Sequence, residues 1–182
     1  MRARRSRGTA LMMAGRGAPV PTLPFPTVSP PVPVAAGPSD YNPGMHHREI
    51  RSVAAGADVV WELLADVSQW PSLTRSMQSV ELDGPLMVGA VVTIKQPRLP
   101  PTPWEVTAVE PGRSFTWEAR APGLLTVARH EVEPAAAGTS LLTLTLDQRG
   151  PLARPVALAF GRLTKRYVAM EADGLAAAAT RL

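Results

Sequence analysis

The 182-residue sequence predicts an α+β domain. Its expected form is a curved antiparallel sheet of about seven strands, closed by two short helices and gripping a long C-terminal helix. Three observations carry this expectation. Apolar residues alternate with a period of two through most of 77–150. They recur every three or four residues before position 70 and again after 151. The links between the alternating runs are short and hold Gly or Pro, the pattern of an antiparallel meander.

Each element follows from its residues. HHREIRSV (46–53) has strand character. Gly56-Ala57-Asp58 opens a helix, with Asp58 as its cap or first-turn acid. Val60, Leu63, Leu64 and Val67 form one apolar helical face. The stretch WELLADVSQWPSL (61–73) then breaks that helix, because Pro71 disfavours helix at Trp70. A second short helix over about 71–76 can start on that proline. The chain thereby turns a corner and closes one end of the sheet, with Trp70 as a large apolar plug.

Six strand runs come next: MQSVELDG (77–84), GAVVTIKQP (89–97), PWEVTAVEP (103–111), RSFTWEARAPG (113–123), LLTVARHEVEP (124–134) and TSLLTLTLDQRG (139–150). From Pro151 the period is helical again, through Leu152, Val156, Phe160, Leu163, Tyr167 and Met170. Pro155 is tolerated in the first turns. This helix is expected to reach about residue 180, with Gly174 a weak point.

The chain divides at about residue 44. Nine of the 20 prolines lie in 1–44, and PVPTLPFPTVSPPVPVAAGP (19–38) has neither period. An Arg-rich, then Pro-rich disordered tail is expected there, followed by a ligand-binding domain over 45–182. The opening MRARRSRGTALMMAGRG lacks the apolar run of an export signal. Met45 stands directly before the first strand run, so a true start at Met45 is an alternative expectation.

The tail also explains the charge. Residues 1–44 hold five arginines against Asp40 alone, which matches the chain's whole net charge of +4. Residues 45–182 hold 14 basic and 14 acidic side chains. A nucleic-acid partner is therefore not expected, since the domain lacks an excess of positive charge. There is no cysteine, which removes disulfides and thiolate chemistry. No run approaches the roughly 20 apolar residues of a membrane span. A cytoplasmic protein without integral membrane association is expected.

Several stretches together carry a family resemblance. They are VWELLADVSQWP (60–71), GRSFTWEARAPG (112–123), RHEVEP (129–134), GTSLLTLTL (138–146) and the helix end RYVAMEADGL (166–175). Over about 45–180 the chain resembles the polyketide cyclase/dehydrase and lipid-transport group of the START-like (SRPBCC) superfamily. The resemblance implies a helix-grip fold with an apolar cavity between the sheet and the long helix. Members of the group bind lipids, sterols, hormones or polyketides, and a minority are cyclases, dehydratases or aromatases.

Strand alternation gives the expected cavity wall. Val92, Ile94 and Trp104 face inward on the early strands, and Phe115 and Trp117 on the next. Thr126, Ala128, His130 and Leu144 continue that face. Trp70 at the corner, with Phe160, Leu163 and Tyr167 on the helix, completes the expected ligand-binding set. Trp61 reads as structural.

His130 is the sharpest residue. It is either a polar anchor or proton carrier in an apolar pocket, or a core histidine satisfied by a neighbour. Tyr167 is either the natural second polar group or a core tyrosine with its hydroxyl near the surface; it and His130 are the catalytic candidates. Arg98, in the proline-dense loop KQPRLPPTP (95–103), could meet an acidic head group at the cavity rim. Arg162, Lys165 and Arg166 read as a solvated face. His46-His47 alternates faces with no third ligand nearby, so no metal is expected.

Ser114 and Ser140 sit in no nucleophile motif, Glu131 and Glu133 share an outward face, and no cofactor is implied. The leading expectation is carriage of a small hydrophobic, lipid- or polyketide-like molecule without catalysis. The first alternative is a polyketide cyclase/aromatase or dehydratase using His130 as acid or base. The second is a protein-interaction module of co-chaperone type, whose protein partner the sequence does not name.

Overall fold

The computed structural model describes residues 44–182. The tail expected over 1–44 lies, apart from Gly44, outside the described residues. In chain order the elements are β1 (His46–Val53), α1 (Ala57–Ala65), a 3-10 turn (Val67–Gln69), α2 (Trp70–Leu73), β2 (Ser79–Leu82), β3 (Val91–Lys95), β4 (Thr102–Glu110), β5 (Ser114–Ala121), β6 (Leu124–Pro134), β7 (Ser140–Arg149) and α3 (Ala153–Ala179). The seven strands form one antiparallel sheet in the order β1-β7-β6-β5-β4-β3-β2. This is the helix-grip α+β fold: β2 to β7 are a meander, and β1 adds to its far edge beside β7.

The inner face of the sheet is built in cross-strand rows on β5, β6 and β7. Phe115, His130 and Leu144 lie side by side, as do Trp117, Ala128 and Leu146, and then Ala119, Thr126 and Gln148. The row at the other end joins Val132 to Leu142. Most of these side chains are buried; α3 packs against β7, and α1 against β6 and β7. The rows follow from register: once β6 and β7 pair, every second residue must share a face.

The sheet departs from simple alternation at one place. In β4 the register slips between Val106 and Ala108, so Val106 opposes Trp117 while Val109 opposes Phe115. The extra residue, Thr107, is a bulge, and it moves the inward face from even to odd positions. Val109 consequently packs on the core.

The corner at 66–74 is where the chain was expected to close the sheet. Asp58 sits in the first turn of α1 without capping it; the cap position is Gly56. The second helix is only Trp70–Leu73, shorter than the expected 71–76, because Thr74 is already extended. The Thr74 hydroxyl then donates to the Met170 carbonyl on α3, 3.1 Å away, and the residue is fixed there. Trp70 is wholly buried, and its indole N–H donates to the Leu63 carbonyl at 2.9 Å.

Gly174 does not weaken α3, which runs through it to Ala179. A β-carbon at 174 would stand 2.4 Å from the Leu73 carbonyl oxygen. Glycine there lets the end of α2 press against the helix backbone. The N-terminal half of α3 is held less firmly: Leu158 is 90% exposed and Phe160 48%.

Candidate functional site

Two connected spaces open between the sheet and α3. The inner chamber, about 50 Å³, has walls of Met77, Ile94, Trp104, Trp117, Ala128, Leu144, Leu146 and Val168. Its polar groups are His130, Glu171, Gln96, Thr145, Thr164 and Tyr167. The outer chamber, about 240 Å³, is bounded by Leu99, Pro100, Leu124, Val156 and Phe160, with Thr126 and Gln148 among its polar groups. Ile94, Gln96, Trp104, Leu146 and Thr164 belong to both walls, so the two spaces adjoin. Together they approach the lower end of the range for small-molecule pockets, about 300 Å³. A wider groove, about 550 Å³, runs between α1 and the 82–86 turn, but it is a surface depression without a buried polar group.

His130 projects from β6 into the row between Phe115 and Leu144. Its ring stacks on Phe115 with centroids 4.5 Å apart and planes 11° from parallel. The edges of Trp70 and Trp117 complete the enclosure, each 5.1 Å away by centroid. Its Nε2 lies 2.7 Å from Oε1 of Glu171 on α3. Both side chains are buried, at 3% and 8% exposure.

With the imidazole proton on Nε2, His130 donates to the carboxylate. That leaves Nδ1 out of solvent contact and without a hydrogen-bond partner. The second carboxylate oxygen of Glu171 takes no hydrogen bond from the described residues, and Glu171 forms part of the chamber wall. Glu171 thus borders the chamber with one carboxylate oxygen held by His130 and the other free. The indole N–H groups of Trp104 and Trp117, both on the inner wall, also have no acceptor among the described residues. They are free donors on residues of the chamber wall.

The sequence-derived residues divide into three groups. Ile94, Trp104, Trp117, Ala128, His130, Leu144 and Tyr167 border the inner chamber. Thr126 and Phe160 border the outer one. Trp70, Val92, Phe115 and Leu163 border neither. The first three of these are wholly buried and act as backing, with Trp70 and Phe115 fixing the His130 ring.

Tyr167 is not poised as a second polar group aimed at a guest. Its hydroxyl donates to the Pro97 carbonyl and latches the 96–101 loop to α3. In that loop Arg98 is exposed, with a positive φ of 65°. His46 and His47 are engaged elsewhere, with Asp147 and Glu49 at 2.7 and 2.9 Å.

Glu171 is the residue that strand alternation could not supply. Its only sequence signal is an acid four residues after Tyr167 on the helix face that carries Tyr167, Val168 and Leu175. Gln148 was also missed. It lies two residues beyond Leu146 on the same strand face, and its polarity masked its place in the inner row.

A family model described as polyketide cyclase/dehydrase and lipid transport matches residues 46–180, nearly the whole of the described domain. The chain belongs to that family. Among solved structures, the Zhui aromatase/cyclase from Streptomyces sp. R1128 superposes with a TM-score of 0.64 at 20% identity, over 75% of this chain and 94% of that one. The truncated norcoclaurine synthase from Thalictrum flavum gives 0.60 at 15% identity, over 72% and 91%. A Helicobacter pylori protein, jhp0584, gives 0.62 at 16% identity, over 74% and 86%. At these identities the likeness is one of fold. No curated protein sequence matches the chain. No helix among the described residues is long and apolar enough to cross a membrane.

Proposed function

We propose that this family member binds a small, largely apolar aromatic or polyketide-like molecule between sheet and helix, and moves a proton on it with Glu171 held by His130. One observation carries the reading: a hydrogen-bonded acid–imidazole pair, buried on the wall of a largely apolar chamber. Apolar residues of similar volume would serve stability as well or better, because desolvating such a pair offsets much of its attraction. Placing it beside empty space is what acid–base chemistry needs.

The chemistry follows from the atoms present. The free Glu171 oxygen takes a proton from a carbon next to a carbonyl, and the C–H electron pair becomes an enolate. The indole N–H of Trp117 or Trp104 stabilises the enolate oxygen. The enolate carbon can then bond to a second carbonyl carbon of the same molecule. That carbonyl oxygen recovers the proton from Glu171 and becomes a hydroxyl. For dehydration Glu171 takes a second proton from the newly bonded carbon, that C–H pair forms a C=C bond, and the C–O bond breaks as the hydroxyl takes the same proton and leaves as water. The function is thus of the cyclase or dehydratase kind, which the sequence ranked behind carriage. The family fold and the apolar walls support ligand binding in either case.

The test uses acetylnaphthalene, an apolar aryl methyl ketone whose methyl protons exchange slowly in D₂O. Binding is read by quenching of tryptophan fluorescence, and exchange by proton NMR. The expected result is accelerated exchange by the native protein and at least a hundredfold less by Glu171→Gln, which preserves size. Binding without accelerated exchange would return the protein to carriage alone.

A further inference from the structure

Gln148 is a buried polar residue that the acid–base reading does not use. It is 7% exposed, and its side-chain oxygen is out of solvent contact with no hydrogen-bond partner. Such a group is costly to bury unless something completes it. Its backbone N–H is already spent on the Met45 carbonyl, 2.8 Å away. The side chain borders the outer chamber.

Directly opposite on β6 stands Thr126, in register with Gln148. It is also buried, it borders the same chamber, and its hydroxyl makes no hydrogen bond with the described residues. An amide and a hydroxyl thus sit side by side at the end of an inner face that is otherwise apolar until His130. An amide offers both a donor and an acceptor, and a hydroxyl offers either. Neither carries charge, and Arg120, which also borders this chamber, is exposed and paired with Glu118, so a carboxylate or ammonium would be poorly served beside them. A neutral hydroxyl, phenol or carbonyl fits.

We infer that Gln148 and Thr126 form a second polar subsite, which hydrogen-bonds a hydroxyl on the far end of the ligand. This rests on the ligand-binding reading above and narrows its ligand class. Thr126 and His130 are four residues apart on one strand, about 13 Å at 3.3 Å per residue. Between them lies the row of Trp117, Ala128 and Leu146. The preferred guest is therefore two-headed. It has a carbonyl at the Glu171 end, a flat apolar middle of about two fused rings, and a neutral hydroxyl at the Gln148 end.

The experiment compares acetylnaphthalene with its analogue bearing a hydroxyl on the far ring, by fluorescence titration and α-proton exchange. The hydroxylated probe should bind the native protein about tenfold more tightly. Gln148→Leu should abolish that preference. If Gln148→Leu fails to fold, Thr126→Val carries the same test, since it removes the hydroxyl at nearly constant volume. Equal binding of the two probes to the native protein, or a preference that survives the substitution, would overturn the subsite.

The two readings fail separately. A protein that prefers the hydroxylated probe but exchanges no proton keeps the subsite and loses the acid–base chemistry. One that binds both probes alike and accelerates their exchange does the reverse. A protein that binds neither loses both.

Discussion

The two halves of α3 are one helix in two different conditions. From Tyr167 onward it is anchored: Val168, Glu171, Ala172 and Leu175 are buried, Gly174 touches α2, and Thr74 binds the Met170 carbonyl. Arg51 of β1 adds a hydrogen bond to Asp173 at 2.7 Å, and Asp173 and Glu49 together raise its guanidinium pKa above the ordinary value. Before residue 164 the same helix has exposed Leu158 and half-exposed Phe160, and spans the outer chamber. The fixed half carries Glu171 and the looser half borders the outer chamber. A site needs atoms held to fractions of an ångström where protons move, and room to open where the guest enters.

The largest effect should come from breaking the anchored half at its polar centre. Glu171→Leu leaves His130 buried with no partner on either ring nitrogen, and should cost about 3 kcal/mol in urea unfolding. Replacing both residues, His130→Phe with Glu171→Leu, should recover most of that loss while leaving no acid–base group in the chamber. If the double variant is no more stable than the single one, the pair contributes to the fold beyond its own hydrogen bond.

Gly174→Ala comes next. Its β-carbon would meet a backbone carbonyl rather than a flexible side chain. Alanine normally favours a helix over glycine by about 1 kcal/mol. Here the overlap should reverse that sign, with a net loss of about 2 kcal/mol. A stabilised Gly174→Ala protein would mean that α2 can move away freely, and the two halves of α3 would be less different than drawn.

These two predictions also mark what could be read beforehand. The fold was legible because it rests on local periods: two for the strands, between three and four for α3, and Gly or Pro at the links. The inner face was legible for the same reason, down to His130. Glu171 was not, because it meets His130 only through tertiary packing across 41 positions of sequence. Trp70 and Phe115 were assigned to the wall because alternation and hydrophobicity cannot separate a residue that borders a cavity from one that backs it. The partner of the Tyr167 hydroxyl was not legible, because it is a loop carbonyl, which leaves no trace in sequence pattern.

Tyr167 stands where the two halves of α3 meet. Tyr167→Phe removes the latch on the Pro97 carbonyl and leaves the ring in the chamber wall. The expected loss is about 1 kcal/mol of stability. Amide hydrogen exchange should accelerate in 96–101 and stay unchanged in 170–179. Uniform acceleration would show that the loop and the anchored half open together.

The smallest effect should come from the loose half itself. Leu158 makes almost no use of its side chain inside the domain, so Leu158→Ser removes little buried area. Exposed positions of this kind change stability by no more than about 0.5 kcal/mol. Serine is also a poorer helix former than leucine by a few tenths, which accounts for most of the expected loss. A larger loss would mean that Leu158 is covered when the protein is in solution. Its concentration dependence would then show whether a second copy provides the cover, because only association makes the midpoint of unfolding rise with protein concentration.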